Sequence, residues 1–215
     1  MEVITTSEIV RPSSAASKNG GLVWRAPKAK IPLEERTDLT IAEVEALGVT
    51  DPYELIDGRI IFKMANPIHA DFQIELAFEI RLYLKEHPIG KLYDDLNLKL
   101  FPDNARRLWR PDLAFYLHEN RPRIDRPHTK APDLAIEIVT DSSKLLETLA
   151  KPDQYLEKGS KVVWIVIPAK ACVWIWTASG QRWEYETLTC PELLPGWSLD
   201  LKEFFSTISE YEIEA

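Results

Sequence analysis

No run of this chain approaches the roughly 20 consecutive apolar residues needed to cross a bilayer, so a soluble protein with no membrane partner is expected. The first residues, Met1 to Thr6, lack the positive flank and continuous apolar core of a signal peptide, which makes a cytoplasmic location the expectation. Cysteine is nearly absent: Cys172 and Cys190 have no metal-ligand spacing and no Cys or His neighbour to complete a site, and are expected to be reduced, structural thiols. Positive charge is also scarce, with 26 Lys and Arg against 34 Asp and Glu and a formal net charge of −8. Binding to a nucleic acid by counterion release would therefore need clustered rather than abundant basic residues. No internal repeat of roughly 20–50 residues is visible. What remains is a 215-residue chain of ordinary globular composition, long enough for one well-cored domain and short for two.

Residues 1–36 carry no sustained periodicity and read as a flexible tail or arm. A domain over 37–208 follows, then a short C-terminal tail over 209–215. Thr40-Ile41-Ala42-Glu43 is a capping-box pattern for a short helix ending near Gly48. Tyr53–Ile56 and Arg59–Met64 flank Asp57-Gly58, a strong type I′ hairpin signal. Asn66-Pro67 reads as a cap with proline in the first turn of a long amphipathic helix, whose apolar positions run from Ile68 through Phe72, Leu76 and Ile80 to about His87. Strands are expected over Leu92–Phe101, Asp112–Leu117 and Asp133–Val139, then a helix from Lys144 to Gly159 interrupted at Pro152. Val162–Ile167 is a continuous apolar run suited to a strand buried on both faces. Ala171–Thr177 and Arg182–Leu188 read as a hairpin, Leu194–Trp197 as a turn, and Leu199–Ile208 as a closing helix. The fold class expected is α/β, a mixed sheet flanked by helices with an added hairpin at each end.

The anomaly lies in two Pro-Asp strand starts, Arg110-Pro111-Asp112-Leu113 and Ala131-Pro132-Asp133-Leu134, the second leading to Glu137 inside Leu-Ala-Ile-Glu-Ile-Val. A carboxylate surrounded by apolar neighbours is costly unless paired or bound to a metal. Asp112 and Glu137 on neighbouring strands would suit a hard divalent ion, and a structural ion pair is the competing reading. Asp133 reads as a strand-start residue.

The ordered set Tyr53-Glu54-Leu55-Ile56-Asp57-Gly58, His69, Arg110-Pro111-Asp112-Leu113, Pro132-Asp133 with Glu137, Lys151 with Tyr155 and Gly159, Val163–Val166 and Leu194-Pro195-Gly196 resembles the Uma2 family of endonucleases over roughly residues 38–206. That family is similar to the PD-(D/E)xK nucleases, so the resemblance implies a restriction-endonuclease-like core of α-β-β-β-α-β order holding a metal ion for phosphodiester hydrolysis. By motif, Asp112 and Glu137 take the metal-binding positions. The lysine two residues after the acid is replaced by Val139, and Lys151 on the following helix matches the family's substitute. Glu54 matches the hairpin glutamate near the site and His69 an auxiliary helix-start histidine. The implied cofactor is Mg²⁺, with Mn²⁺ able to substitute, and the implied substrate is DNA. Three positions depart from the pattern: Pro152 directly behind Lys151, which disfavours a helical Lys151, Thr140-Asp141-Ser142-Ser143 where Ser-Pro-Ser is usual, and Arg59 where an acid is usual.

Arg106, Arg107 and Arg110 before Asp112, and Arg121, Arg123, Arg126 and Lys130 after it, are the dense basic clusters, with Arg107 and Arg110 the substrate-binding candidates and a solvated loop the alternative. Trp174 and Trp176 share one strand face, which would suit a homodimer surface. The leading expectation is a Mg²⁺-dependent endodeoxyribonuclease. The alternatives are a catalytically degenerate nucleic-acid-binding or dimeric interaction protein, and a hydrolase of another phosphate ester.

Overall fold

A computed structural model describes residues 31–63, 66–123 and 128–208. Most of the tail expected at the N-terminus, the C-terminal tail, Met64 and Arg126 lie outside the described residues. Leu33–Glu35 form one 3-10 turn, and Leu33 packs against the core of the N-terminal hairpin.

The main sheet has six strands in sequential order: β3 (Gly90–Asp94), β4 (Leu113–Leu117), β5 (Leu134–Ile138), β6 (Val162–Ile167), β7 (Cys172–Thr177) and β8 (Gly180–Glu184). Only the β5–β6 pair is parallel, because a helical crossover joins those strands while tight connections join β6 to β7 and β7 to β8. That crossover holds α3 (Leu145–Leu149) and α4 (Pro152–Glu157). Before β3 stands α2 (Pro67–Glu86), so the core runs α-β-β-β-α-β as the resemblance implied.

Strand alternation divides the core into two layers. Leu134, Ile136, Ile138, Val162, Trp164 and Val166 face α2 through its buried Phe72, Leu76 and Ile80. Ala135, Val139, Val163, Ile165 and Ile167 pack on the opposite side with Tyr155 of α4 and Trp109. The third cluster lies under α1 (Ile41–Ala46) and the hairpin of β1 (Tyr53–Ile56) and β2 (Arg59–Phe62). Asp57 and Gly58 have φ of 50° and 89°, as the type I′ turn requires. A side chain at Gly58 would also meet Arg106 Nε and Thr37 O at 2.6 Å, so the turn is held against the segment before β4.

Several local expectations change. The strand expected over Leu92–Phe101 ends at Asp94, because Asp95 turns into the left-handed region at φ 49°; Leu98 and Leu100 are buried as irregular chain. The helix expected from Lys144 is split into α3 and α4, since Pro152 has no N–H with which to continue it and instead opens α4 at N1. Lys151 nevertheless adopts helical angles, φ −88° and ψ −39°, against the preference of a residue before proline. β7 and β8 form the expected antiparallel hairpin, which extends the edge of the main sheet. The strand expected over Arg182–Leu188 breaks after Glu184, where the chain leaves the exposed edge to bury Leu188 and Cys190 in β9 (Thr187–Cys190). β9 pairs with β10 (Leu194–Asp200), and the turn expected at Leu194–Trp197 is the irregular start of that strand, with Gly196 at φ 82°. α5 (Leu201–Ile208) closes the α2 side. Both cysteines are free and buried, and among the described residues no helix is long and apolar enough to cross a membrane.

Candidate active site

The β4–β5 register pairs Leu113 with Ile136; extended by one residue, it sets Asp112 opposite Glu137. Both belong to the α4 side of the sheet by alternation, and both are almost wholly buried. The Ile138 amide donates to Asp112 Oδ2 at 2.6 Å, tying the carboxylate to the neighbouring strand. In the hairpin, alternation turns Tyr53 and Leu55 into the third core cluster and Glu54 the other way, into the same polar centre. The Arg110 amide donates to Glu54 Oε1 at 2.8 Å. Glu54 is therefore not an exposed hairpin residue.

Two ammonium groups stand among these three carboxylates. Lys151, at the start of α4, donates to Glu54 Oε1 and Oε2 at 2.9 and 2.7 Å and to Glu137 Oε1 at 3.1 Å, which uses all three of its hydrogens. Lys63, just after β2, donates to Asp112 Oδ1 at 2.7 Å and to the Arg110 carbonyl, and lies 3.8 Å from Glu137 Oε2. The Tyr155 hydroxyl donates to Glu137 Oε1 at 2.9 Å. His69 is held by the cap of α2, where Asn66 Oδ1 accepts from its amide at 2.7 Å, and its ring sets Nε2 3.2 Å from Asp112 Oδ2. Gln73, one turn on, donates to the Asp112 carbonyl at 2.9 Å.

Burial opposes ionisation of every group here, and the charges decide the outcome. For Asp112, Lys63 and the His69 hydrogen bond outweigh burial and hold the carboxyl well below the usual range. For Glu54, burial is again outweighed, by Lys151 and Lys63, and its carboxyl is also lowered. Glu137 is raised, because burial is only partly offset by the same two lysines. Both lysines are raised despite burial, Lys63 by Asp112 and Glu137 first and Lys151 by Glu137 and Glu54. Both are ammonium groups at neutral pH.

These residues open onto a cavity of about 520 Å³ whose lining includes Glu54, Lys63, His69, Asp112, Glu137 and Lys151. Lys144, exposed after β5, is at its edge. The proposed substrate arginines are not in the lining. Arg107 grips Asp57 at 2.7 and 3.0 Å and Gln154 at 2.7 Å, stapling the hairpin turn to α4. Arg110 reaches Asp95 at 3.2 Å and Asn97 at 3.1 Å. Arg121, Arg123 and Lys130 line a separate, smaller cleft. Asp133 is a strand-start carboxylate as expected, accepting from the Leu117 amide at 2.9 Å and Asn120 at 2.7 Å.

Lys63 was not a sequence candidate. Its signal was the one that exposed Glu137: a lone charge beside an apolar run, here Ile60-Ile61-Phe62. Ile61 pairs with Glu54 across the hairpin, so Lys63, two residues further on, shares the face of Glu54.

Among the described residues no group of three or more His, Cys, Asp or Glu is arranged to hold a metal ion. Asp112 and Glu137 are the residues that would hold a hard ion taking few protein ligands. Asp112 Oδ1 and Glu137 Oε2 both approach one cationic atom, Lys63 Nζ, at 2.7 and 3.8 Å, so an ion held by this pair would take the place of that ammonium. Mg²⁺ is commonly bound by one or two carboxylates with several waters.

A family model described as "Uma2: Putative restriction endonuclease" matches residues 42–209. Among solved structures, the crystal structure of "a putative nuclease belonging to DUF820" from Anabaena variabilis ATCC 29413 is similar, with a TM-score of 0.64 and 21% identity over 79% of this chain and 99% of that one. No curated protein matches the chain.

Proposed function

This chain belongs to the Uma2 family, and on that premise we propose that it is a metal-dependent endonuclease that hydrolyses phosphodiester bonds of DNA. The family description and the nuclease fold of its structural neighbour support a nuclease-like function. The observation that carries the finer reading is the approach of Asp112 and Glu137 to a single cation position, held here by Lys63 Nζ, in the lining of an open cavity.

Asp112 and Glu137 would hold Mg²⁺, with Mn²⁺ able to replace it. Bound there, such an ion polarises a scissile phosphate and lowers the pKa of an attacking water. The remaining work falls to the protein. Lys63, partly open to the cavity, would offer its ammonium to the phosphate oxygens once an ion takes its place between Asp112 and Glu137. Lys151, buried and saturated by carboxylates, is a positioning residue that holds Glu54 and Glu137 in place. The Ile138 amide and His69 fix the orientation of Asp112, and Lys144 at the edge adds attraction for a polyanion in an otherwise acidic protein.

Supercoiled plasmid incubated with the protein and Mg²⁺ or Mn²⁺, against EDTA, tests the reading. Conversion to nicked and linear forms only with the divalent ion is expected. Binding of DNA or of the ion without cleavage of duplex, single-stranded DNA or RNA would replace it with the degenerate binding protein.

A further inference from the structure

Beyond the end of β4 the chain forms a second cleft, of about 210 Å³, that shares no lining residue with the cavity over the carboxylates. Tyr116 in its lining is four residues from Asp112, roughly 13 Å along the strand. The walls are anchored to the core, unlike those of a loop that merely points its charges into solvent. The Tyr116 hydroxyl donates to the Lys130 carbonyl at 2.9 Å, and the Lys99 amide donates to the His128 carbonyl at 2.8 Å. Asn120 joins two of the anchored groups: its side-chain amide donates to Asp133 Oδ1 at 2.7 Å, and its Oδ1 accepts from the Lys130 ammonium.

The charges here are the reverse of those at the carboxylate cavity. Arg121, Arg123 and Lys130 line the cleft, with Glu119 as the one carboxylate among its described lining residues, in a chain of formal net charge −8. Lys130 bonds a neutral amide oxygen, so that bond leaves its positive charge uncompensated. Asp133 is buried and has its own partners in the Leu117 amide, Asn120 and Lys161. Burial lowers the pKa of His128, which therefore adds no charge at neutral pH. The carboxylate cavity, by contrast, carries Asp95, Asp141 and Glu147 besides its three buried carboxylates, against Lys63, Lys144 and Lys151. Arg107 and Arg110 are engaged by Asp57 and Asp95. A polyanion that enters that cavity needs a basic contact outside it. We propose that the second cleft binds a phosphate group, with Arg121 and Lys130 supplying the contacts. A guanidinium fork and an ammonium point charge are the side-chain groups that hold phosphate oxygens. The phosphate is one in the backbone of a polynucleotide, and that identity alone rests on the nuclease reading. Inorganic phosphate offers the same oxygens.

Fluorescence anisotropy of a labelled single-stranded oligonucleotide and of its duplex, with the full chain in EDTA between about 50 and 200 mM KCl, reads these contacts singly. Arg121→Gln and Lys130→Gln are each expected to weaken binding about 3-fold or more, with circular-dichroism melts unchanged. Each should also lower the slope of log K against log salt by about 0.7 on the single strand and about 0.9 on the duplex. Line broadening of inorganic phosphate in phosphorus NMR spectra distinguishes the two sources. Broadening by the wild type that both variants lose, with oligonucleotide binding unchanged, keeps the phosphate site and assigns it to the free anion. Unchanged oligonucleotide slopes together with no variant-sensitive broadening overturn the proposal, as does a wild type that binds neither probe. Absence of plasmid nicking alongside lowered slopes would refute the nuclease reading and leave the cleft standing.

Discussion

Replacing Lys151 with methionine keeps a side chain of similar length and removes the ammonium that donates to Glu54 at 2.9 and 2.7 Å and to Glu137 at 3.1 Å. Glu54 keeps the Arg110 amide and Glu137 keeps Tyr155, but both carboxylates stay buried with Lys63 as the remaining ammonium. Breaking a buried ion pair by removing one partner costs about 3–5 kcal/mol. In a domain of this size 1 kcal/mol moves Tm by about 2–4 °C, so Tm should fall by roughly 6–20 °C. The loss has a pH signature. With Lys151 gone, at least one carboxyl is pushed above its unfolded pKa, and a raised group contributes fully below the unfolded value and loses that contribution as pH rises through the folded one. The deficit should therefore be smallest near pH 5 and grow toward pH 8. In the wild type Lys151 is itself raised, so its contribution is complete throughout that window, below the ordinary lysine value of about 10.4. Circular-dichroism melts of both proteins at pH 5, 6, 7 and 8 measure this, and adding Glu54→Gln to Lys151→Met should recover part of the loss. A change in Tm under about 2 °C at pH 7, or a deficit that shrinks as pH rises, would refute the reasoning.

Lys63→Met should cut nicking at least about 100-fold, the scale of losing one preorganised charge, and should make Mg²⁺ raise Tm more than in the wild type, since Asp112 and Glu137 then lack their shared ammonium; initial rates and melts with and without the ion check both. Asp112 and Glu54 are held below their usual values, so their stabilisation is complete above unfolded pKa values of about 3.9 and 4.3 and is lost as pH falls through the lowered ones. Glu137, raised by burial, runs the opposite way. The urea midpoint should accordingly drop below about pH 4, and Asp112→Asn should flatten the drop. Gly58→Ala should cost about 1–3 kcal/mol in urea unfolding, because φ of 89° and the contact with Thr37 O leave no room for a Cβ.

Elements with strong local periodicity were legible from sequence: α2 with its Asn66-Pro67 start, the Asp57-Gly58 hairpin and the apolar β6. Their signals are local, and tertiary packing reinforced them. Boundaries failed where a single backbone state intervened. Asp95 ended β3 through a left-handed φ that no side-chain pattern announces, and the Pro195-Gly196 turn signal was used for an irregular strand start instead. At the site, Glu137 stood out because a carboxylate inside an apolar strand needs a partner. Lys151 was found through the family resemblance, and Pro152 proved a helix opener that leaves the amine aimed at Glu54. Lys63 escaped because a lysine at the end of an edge hairpin is ordinarily solvent-facing; only the folding of the hairpin over β4 turns it inward. Arg107 and Arg110 looked like a phosphate rim in sequence, where their partners Asp57 and Asp95 are too distant to be read.

The claim that Asp112 and Glu137 form the ion-holding centre of a nuclease is tested most directly by the rate of Mg²⁺-dependent plasmid nicking by the wild type, Asp112→Asn and Glu137→Gln, each first shown to be folded by circular dichroism. The account predicts nicking by the wild type and loss of at least about 100-fold in both variants. Wild-type rates persisting in either folded variant would contradict it.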